Sequence, residues 1–344
     1  MKRLIIYILI VVAGISISSC ERLMMPKKTT TSRTKIFEEV WSTIDKGYAF
    51  FEYKGINWDS LHTVYRLGIA DTMTERALYD SCASLLGMLQ DRGVSLFAGF
   101  ATASYDNSYK YKANFNKNLL EQKYWVGCER TGPFIYKVVD SVSYVYYGNF
   151  DDHLDDLQAE AVITRLKSLG AKKGMILDVR NSTGTNTANM FTLLKHLGLD
   201  SAGYDYTNYL YQTQYKNGPK HDNFTDFQGT WLDKSDAKKF ARHIIVLTNR
   251  GMYGVPSLFA TSIKSFQTIR TMGDTTAGGG GIPTSQELSN GWVLSFTSCR
   301  IRSTDGYDII DGVAPDTTIL MKSSDESAGK DTMIETALAE LLKK

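Results

Sequence analysis

The chain has 344 residues, of which 43% are hydrophobic and 22% charged, globular proportions that exclude wholesale disorder and collagen-like repeats. Its 39 basic and 37 acidic side chains leave a formal charge of +2, without the basic excess of a nucleic-acid binder, so no nucleic-acid partner is expected. Cys20, Cys82, Cys128 and Cys299 lie far apart with no CxxC pair, which argues against a zinc site and a dense disulfide framework. No metal constellation and no cofactor motif is visible.

Lys2 and Arg3 precede an apolar run from Leu4 to Ile17, too short for a spanning helix of ~20 residues but suited to a signal-peptide core. It ends in Ile17-Ser18-Ser19-Cys20, which resembles the lipobox of bacterial lipoproteins. That resemblance implies cleavage before Cys20 and lipidation there, and hence membrane attachment at the bacterial cell envelope, the outer membrane being favoured. Without Lys2 and Arg3 the mature chain has 37 basic against 37 acidic residues, so the positive charge belongs to the export signal.

Further on, Ile36, Phe37, Val40, Trp41 and Ile44 repeat with a helical period. A Thr72-x-x-Glu75 capping box opens a second helix, with Leu78, Cys82, Leu85, Leu86 and Leu89 on its apolar side; Cys82 reads as core filler. Residues 98–133 are polar and aperiodic. Val142, Tyr144 and Tyr146 alternate as a strand, Leu157 to Leu169 is amphipathic, and Gly174 to Val179 is an apolar run. Thr187 to Leu197 is helical with Gly198 as its stop, and His243 to Thr248 is a second apolar run. Val255 to Phe266 is helical again, and Trp292, Leu294 and Phe296 alternate. A Thr332-x-x-Glu335 box opens a last helix. Strands and helices in this alternation predict crossover units on a mixed sheet. The expected division is a signal peptide over 1–19, a lipidated tether over 20–32 and a small helical N-terminal subdomain over 33–97. A connecting segment over 98–141 and an α/β core over 142–344 complete it.

Several segments together resemble the C-terminal processing (tail-specific) serine peptidases, in particular the lipoprotein branch related to tricorn core proteases. They include Ile36-Phe37-Glu38-Glu39-Val40-Trp41, Leu89-Gln90-Asp91, Asp178-Val179-Arg180-Asn181 and Val246-Leu247-Thr248-Asn249-Arg250. Gly273-Asp274-Thr275-Thr276-Ala277-Gly278-Gly279-Gly280-Gly281 and Gly312-Val313-Ala314-Pro315-Asp316 extend the likeness over nearly the whole mature chain. The resemblance implies a crotonase-like (ClpP-like) α/β core. About fifty residues separate Asp91 from the Tyr144 strand, too few for the PDZ domain that many relatives insert there.

A serine peptidase needs a nucleophilic hydroxyl, a base for its proton and backbone donors for the oxyanion. The resemblance places the nucleophile at Gly254, in Tyr253-Gly254-Val255-Pro256-Ser257, and the histidine base of the tricorn-like branch at Gly93. The lysine of the other branch falls at Gly279, and a supporting glutamate at Ile310. All four groups are missing, so the site reads as vestigial. Ser257, one turn beyond Gly254 and ~5–6 Å away between Cβ atoms, is either a displaced nucleophile or a first-turn helix residue. The motif from Asp178 through Asn181 to Gly184 corresponds to an oxyanion loop, with Thr183 replacing a glycine. Asp178 and Arg180 either contact a ligand or form an ion pair beneath that loop. Asn181, Gly184, Val255, Gly278 and Gly280 complete the expected binding residues.

Three functions follow as alternatives. The chain is an inactive peptidase-like module binding an extended peptide or an envelope protein, a serine peptidase with rearranged groups, or a structural envelope protein. Tyr204, Tyr206, Tyr209, Tyr211 and Tyr215 form a cluster that either presents a binding face or packs over a sheet edge.

Overall fold

The computed structural model describes residues 32–197, 209–218, 222–233, 235–240 and 243–343. The signal peptide, Cys20, all of the tether but Ser32, Gly198, Tyr204 and Tyr206 lie outside the described residues. Among the described residues no helix is long and apolar enough to cross a membrane.

A seven-stranded mixed sheet forms the core. It contains β3 (Glu129–Thr131), β4 (Phe134–Val139), β5 (Val142–Tyr147), β6 (Gly174–Asp178), β9 (Ile244–Thr248), β10 (Ile269–Gly273) and β14 (Thr317–Thr318), in the order β14-β10-β9-β6-β5-β4-β3. The pairs from β5 through β6, β9 and β10 to β14 are parallel, whereas β3 and β4 add antiparallel at the far edge. The two apolar runs are therefore inner parallel strands, buried on both faces, which is why they lack alternation. Register sorts their side chains with period two. Val145, Leu177 and Val246 face one core cluster with Val162, Leu193 and Phe259, while Tyr144, Ile176 and Ile245 face another with Ile334 and Leu341. The first cluster is covered by helices Asp156–Ser168, Thr187–Leu197 and Val255–Ile263, and the second by the last helix, Thr332–Leu342. The sheet begins at Glu129, upstream of the expected core boundary at 142, so part of the expected connecting segment is core strand.

The N-terminal unit packs helices Arg33–Gly47, Trp58–Arg66 and Glu75–Gly87 on a four-stranded antiparallel sheet, β11-β12-β1-β2. Strands β1 (Ser95–Ala98) and β2 (Ala101–Ser104) are local, whereas β11 (Pro283–Glu287) and β12 (Val293–Thr297) come from far downstream. The register Leu96↔Leu294 joins the two halves, and Trp292, Leu294 and Phe296 fill a core with Phe37, Val40 and Leu85. The unit is thus not a separate stretch of chain ending at 97. Its second long helix is capped by Thr74, whose side chain accepts the Ala77 N–H at 3.1 Å, rather than by the expected Thr72. Cys82 is fully buried there as filler.

A third sheet, β13-β7-β8, comprises Cys299–Arg302, Tyr211–Tyr215 and Gln228–Thr230. It takes up part of the tyrosine cluster: Tyr211 is buried within it, Tyr215 is exposed, and Tyr209 meets the Trp231 ring edge-on at 5.9 Å.

Asp178 and Arg180 do not face a ligand. Both are fully buried, and the guanidinium chelates Asp178 at 2.9 and 2.7 Å while its other nitrogen meets Asp331 at 3.0 and 3.1 Å. Asp331, not Thr332, caps the last helix, accepting the N–H groups of Met333 and Ile334 at 3.0 Å each. Burial pushes the Asp331 carboxyl above its ordinary range, with Arg180 opposing and Asp178 adding to the rise. The ion-pair reading of Asp178 and Arg180 is therefore the correct one, with Asp331 as its third member.

Removing the shared cation leaves two buried carboxylates uncompensated. Arg180→Met is expected to cost roughly 3–5 kcal/mol, read as a lowered urea midpoint; an unchanged midpoint overturns the role given to the triad. A second expectation concerns acid. Burial raises the Asp316 carboxyl, but the Thr271 N–H and hydroxyl at 2.7 and 2.8 Å, with Lys264 at 3.0 Å, outweigh it and hold its pKa below the ordinary value. A depressed folded pKa contributes stability that is present above the unfolded value of about 3.9 and lost as pH falls through the folded one. Asp316→Asn should flatten the fall in melting temperature below that pH, and a parallel fall in both proteins counts against it.

Candidate functional site

Strand β9 ends at Thr248, a turn follows, and helix Val255–Ile263 begins. Gly254 is the helix's N-cap, at φ 72° and ψ −123°. That conformation strains any L-residue, and sharp strand-to-helix turns of this kind are where hydrolases hold a nucleophile. A Cβ placed on Gly254 would meet nothing within 4 Å, so space for a side chain is present and the side chain is absent.

The other substituted positions converge on this elbow from distant parts of the chain. A Cβ on Gly93 would run into Thr297 Oγ1 and lie 3.3 Å from the Tyr253 hydroxyl, so Thr297 and Tyr253 fill the space a side chain would need there. A Cβ on Gly279, at φ +91°, would lie 2.8 Å from Gly254 N and 3.0 Å from the Tyr253 ring, which leaves no room for a lysine on this backbone. Ile310 is buried, and its carbonyl accepts the Gly279 N–H at 3.1 Å. All four positions named by resemblance therefore share one locus. Among the described residues, no His or Lys side chain bonds a Ser or Thr hydroxyl there: His62 pairs with Glu38, His153 with Asp155, and His196 with Asp156 and the Lys238 carbonyl.

Ser257 is fully buried behind the elbow. Its hydroxyl lies 2.9 Å from the Met252 carbonyl and 2.8 Å from the Thr276 hydroxyl, and it accepts the Gly278 N–H at 3.1 Å. These bonds stitch the helix's first turn to the glycine run and leave the oxygen no path to a substrate. The first-turn structural role is the one its geometry supports.

Backbone donors are mostly committed as well. The Gly254 N–H donates to the Gly278 carbonyl at 2.9 Å. Gly278 and Gly280 stay glycine because a Cβ on either would strike the Ile310 backbone; the run packs against 309–312 rather than cradling a ligand. In the expected oxyanion loop, the N–H groups of Asn181, Ser182 and Thr183 donate to Asn249 Oδ1, the Val179 carbonyl and the Gly148 carbonyl. Gly184, at φ +112°, lies so close to the 150–151 backbone that a Cβ would sit 2.7 Å from Asp151 N. Val255 opens the first turn beyond Gly254, whose cap has no side-chain hydrogen bond.

In front of the elbow lies a cleft of 230 Å³ lined by Tyr253, Ala277 and Ile310 on one side and Lys54, Arg92 and Arg250 on others. No local pattern in the sequence marks these cations as a set, because they stand 38 and 158 residues apart. Arg92, next to Gly93 in the chain, stacks over the Tyr253 ring at 4.5 Å. Burial pushes the Tyr253 phenol above its ordinary pKa, Asp91 adding to the rise and Arg92 opposing it. The Asp91 carboxylate is held by the Tyr48 hydroxyl and the Gly93 N–H, both at 2.7 Å.

Known proteins share this arrangement of elements. The profile of peptidase family S41 matches residues 141–319, and that of the tricorn protease C1 domain matches 29–87. A crystal structure of a candidate peptidase from Parabacteroides merdae superposes with a TM-score of 0.83 at 30% identity, covering 90% of this chain and 97% of that one. The photosystem II D1 C-terminal processing protease shares the fold, with a TM-score of 0.55 at 18% identity over 84% of this chain and 94% of its own. The carboxy-terminal processing protease CtpA of Bacillus subtilis is 26% identical over 144 residues, which span 42% of this chain and 28% of that protein. With its mixed α/β core and helical N-terminal region, the chain belongs to peptidase family S41.

Proposed function

We propose that this S41 member is catalytically inactive and binds an extended polypeptide or an envelope protein in the cleft before Gly254, held at the bacterial envelope by a lipid on Cys20. One observation carries the inactivity: the elbow retains the strained geometry and open space of a nucleophile position but bears a glycine. The filled base position at Gly93 and the buried, committed hydroxyl of Ser257 support it. Loss of nucleophile and base together leaves only oxyanion donors and binding, several orders of magnitude below a working triad. The family's substrates are peptides and proteins, and a cleft that survives without its chemistry retains the shape to hold one. The cationic opening, the apolar run and the Ile17-Ser18-Ser19-Cys20 sequence support the anchor.

The purified protein, incubated with unfolded casein and a serine-reactive fluorophosphonate, should neither cleave nor label. Ser257→Ala should cost about 1–3 kcal/mol of stability through the unpaired groups it leaves, with labelling unchanged. Stoichiometric labelling that Ser257→Ala abolishes would establish an active peptidase with a displaced nucleophile instead. For the anchor, metabolic labelling with a radioactive fatty acid should mark the native chain and not Cys20→Ser; equal incorporation, or none in either, removes the lipid from the proposal.

A further inference from the structure

The cleft carries an imbalance of hydrogen-bonding groups. On the donor side, Arg92 has a side chain only 28% exposed, yet it donates no hydrogen bond to the described residues; its nearest carboxylate, Asp106, is 3.8 Å away and itself bonds Ser108. Arg250 reaches only the carbonyls of Thr276 and Asp311, at 3.3 and 3.4 Å, and stacks on the Tyr111 ring at 4.3 Å. Lys54 reaches only the Gln90 carbonyl, at 3.3 Å. Neither Arg250 nor Lys54 forms an ion pair with a carboxylate of the described residues. On the acceptor side, both Asp91 oxygens are taken by Tyr48 and Gly93, whereas Asp311, which also lines the cleft, uses only Oδ2, accepting the Tyr53 hydroxyl at 2.9 Å, and forms no ion pair with the cleft's cations. The cleft thus holds two planar guanidinium forks, oriented by aromatic rings and short of acceptors, with an ammonium beside them.

A guanidinium fork matches a carboxylate through two parallel N–H···O bonds, and stacking on a ring fixes its plane before a ligand arrives. We propose that the cleft is a carboxylate subsite, in which Arg92 and Arg250, supported by Lys54, receive the carboxylate of a bound peptide, either its chain terminus or an acidic side chain. This rests on the peptide-binding reading above and adds to it a chemical class of ligand. It also accounts for Arg92, which follows the Leu89-Gln90-Asp91 motif and precedes the missing base: the segment that would present a general base instead presents a cation.

The test is fluorescence anisotropy on the whole mature protein with a fluorescein-labelled, alanine-rich decapeptide in four forms. The carboxyl terminus is free or amidated, with or without one glutamate, and inorganic phosphate serves as competitor. Forms bearing a carboxylate should bind, and the free-terminus and glutamate arms tell which source the cleft prefers. The fully neutral form should bind about tenfold or more weaker, and added salt should weaken the acidic forms most. Arg92→Gln combined with Lys54→Gln should erase the difference between acidic and neutral forms; Arg250→Lys should retain part of it. The Lys54 and Arg92 pair is chosen because Arg250 also holds two backbone carbonyls, whose loss could unfold the loop. Equal binding of all four forms overturns the carboxylate subsite while leaving peptide binding standing. Binding of no form overturns both. Displacement by phosphate with no discrimination among peptides reduces the cleft to a site for small anions and also overturns the proposal.

Discussion

One buried cation holds the sheet and the chain's last helix together. Arg180 leaves the end of β6, where the inner strands finish, and bonds Asp178 beside it and Asp331 at the cap of the helix that covers one sheet face. Three charges removed from water carry a large desolvation cost that only complete pairing offsets, so such a cluster tolerates very few arrangements of its members. Tyr144 donates to Asp178 at 3.1 Å, and the Phe115 ring lies 5.5 Å from the guanidinium, closing the remaining sides. The position of the last helix and the path of the chain after β6, into the loop beside the elbow, are thereby set by one electrostatic constraint.

The elbow is held by a different device, backbone against backbone. Gly254 bonds Gly278, Gly279 bonds Ile310, and side-chain atoms on 278, 279 or 280 would collide with the chain opposite. Ser257 and Thr276 then fasten this layer to the helix, Thr276 also accepting the Val313 N–H at 2.9 Å. The geometry of the turn therefore does not depend on the reactive groups it lacks. The strain of the turn is held in the main chain, at Gly254, and needs no side chain there to keep it.

Much of this was legible from residues alone. The apolar runs at 174–179 and 243–248 mark inner strands because burial on both faces demands continuous apolar sequence. The four substituted positions were found by motif, and the fold brings them to one place. What escaped has physical reasons too. Thr332-x-x-Glu335 fits the local capping pattern, whereas the observed cap, Asp331, also serves an ion pair that local sequence does not announce. Strand β11 shows no alternation because all of its residues are exposed, and its pairing with β12 and β1 has no local signature. Asp178 and Arg180 stay open in sequence between ligand contact and ion pair, because adjacent opposite charges in a loop motif look the same whether buried or exposed. Arg92 and Arg250 went unnoticed as a pair because only the folded chain places them on one cleft.

The loan of β11 and β12 to the N-terminal layer bears on how the chain comes to be built. Helices made early in synthesis stay without a full core until Trp292, Leu294 and Phe296 arrive from more than two hundred residues downstream. Contacts of such separation form late and slowly, since loop closure precedes any gain from them. The first-made part of the molecule is therefore among the last to become stable.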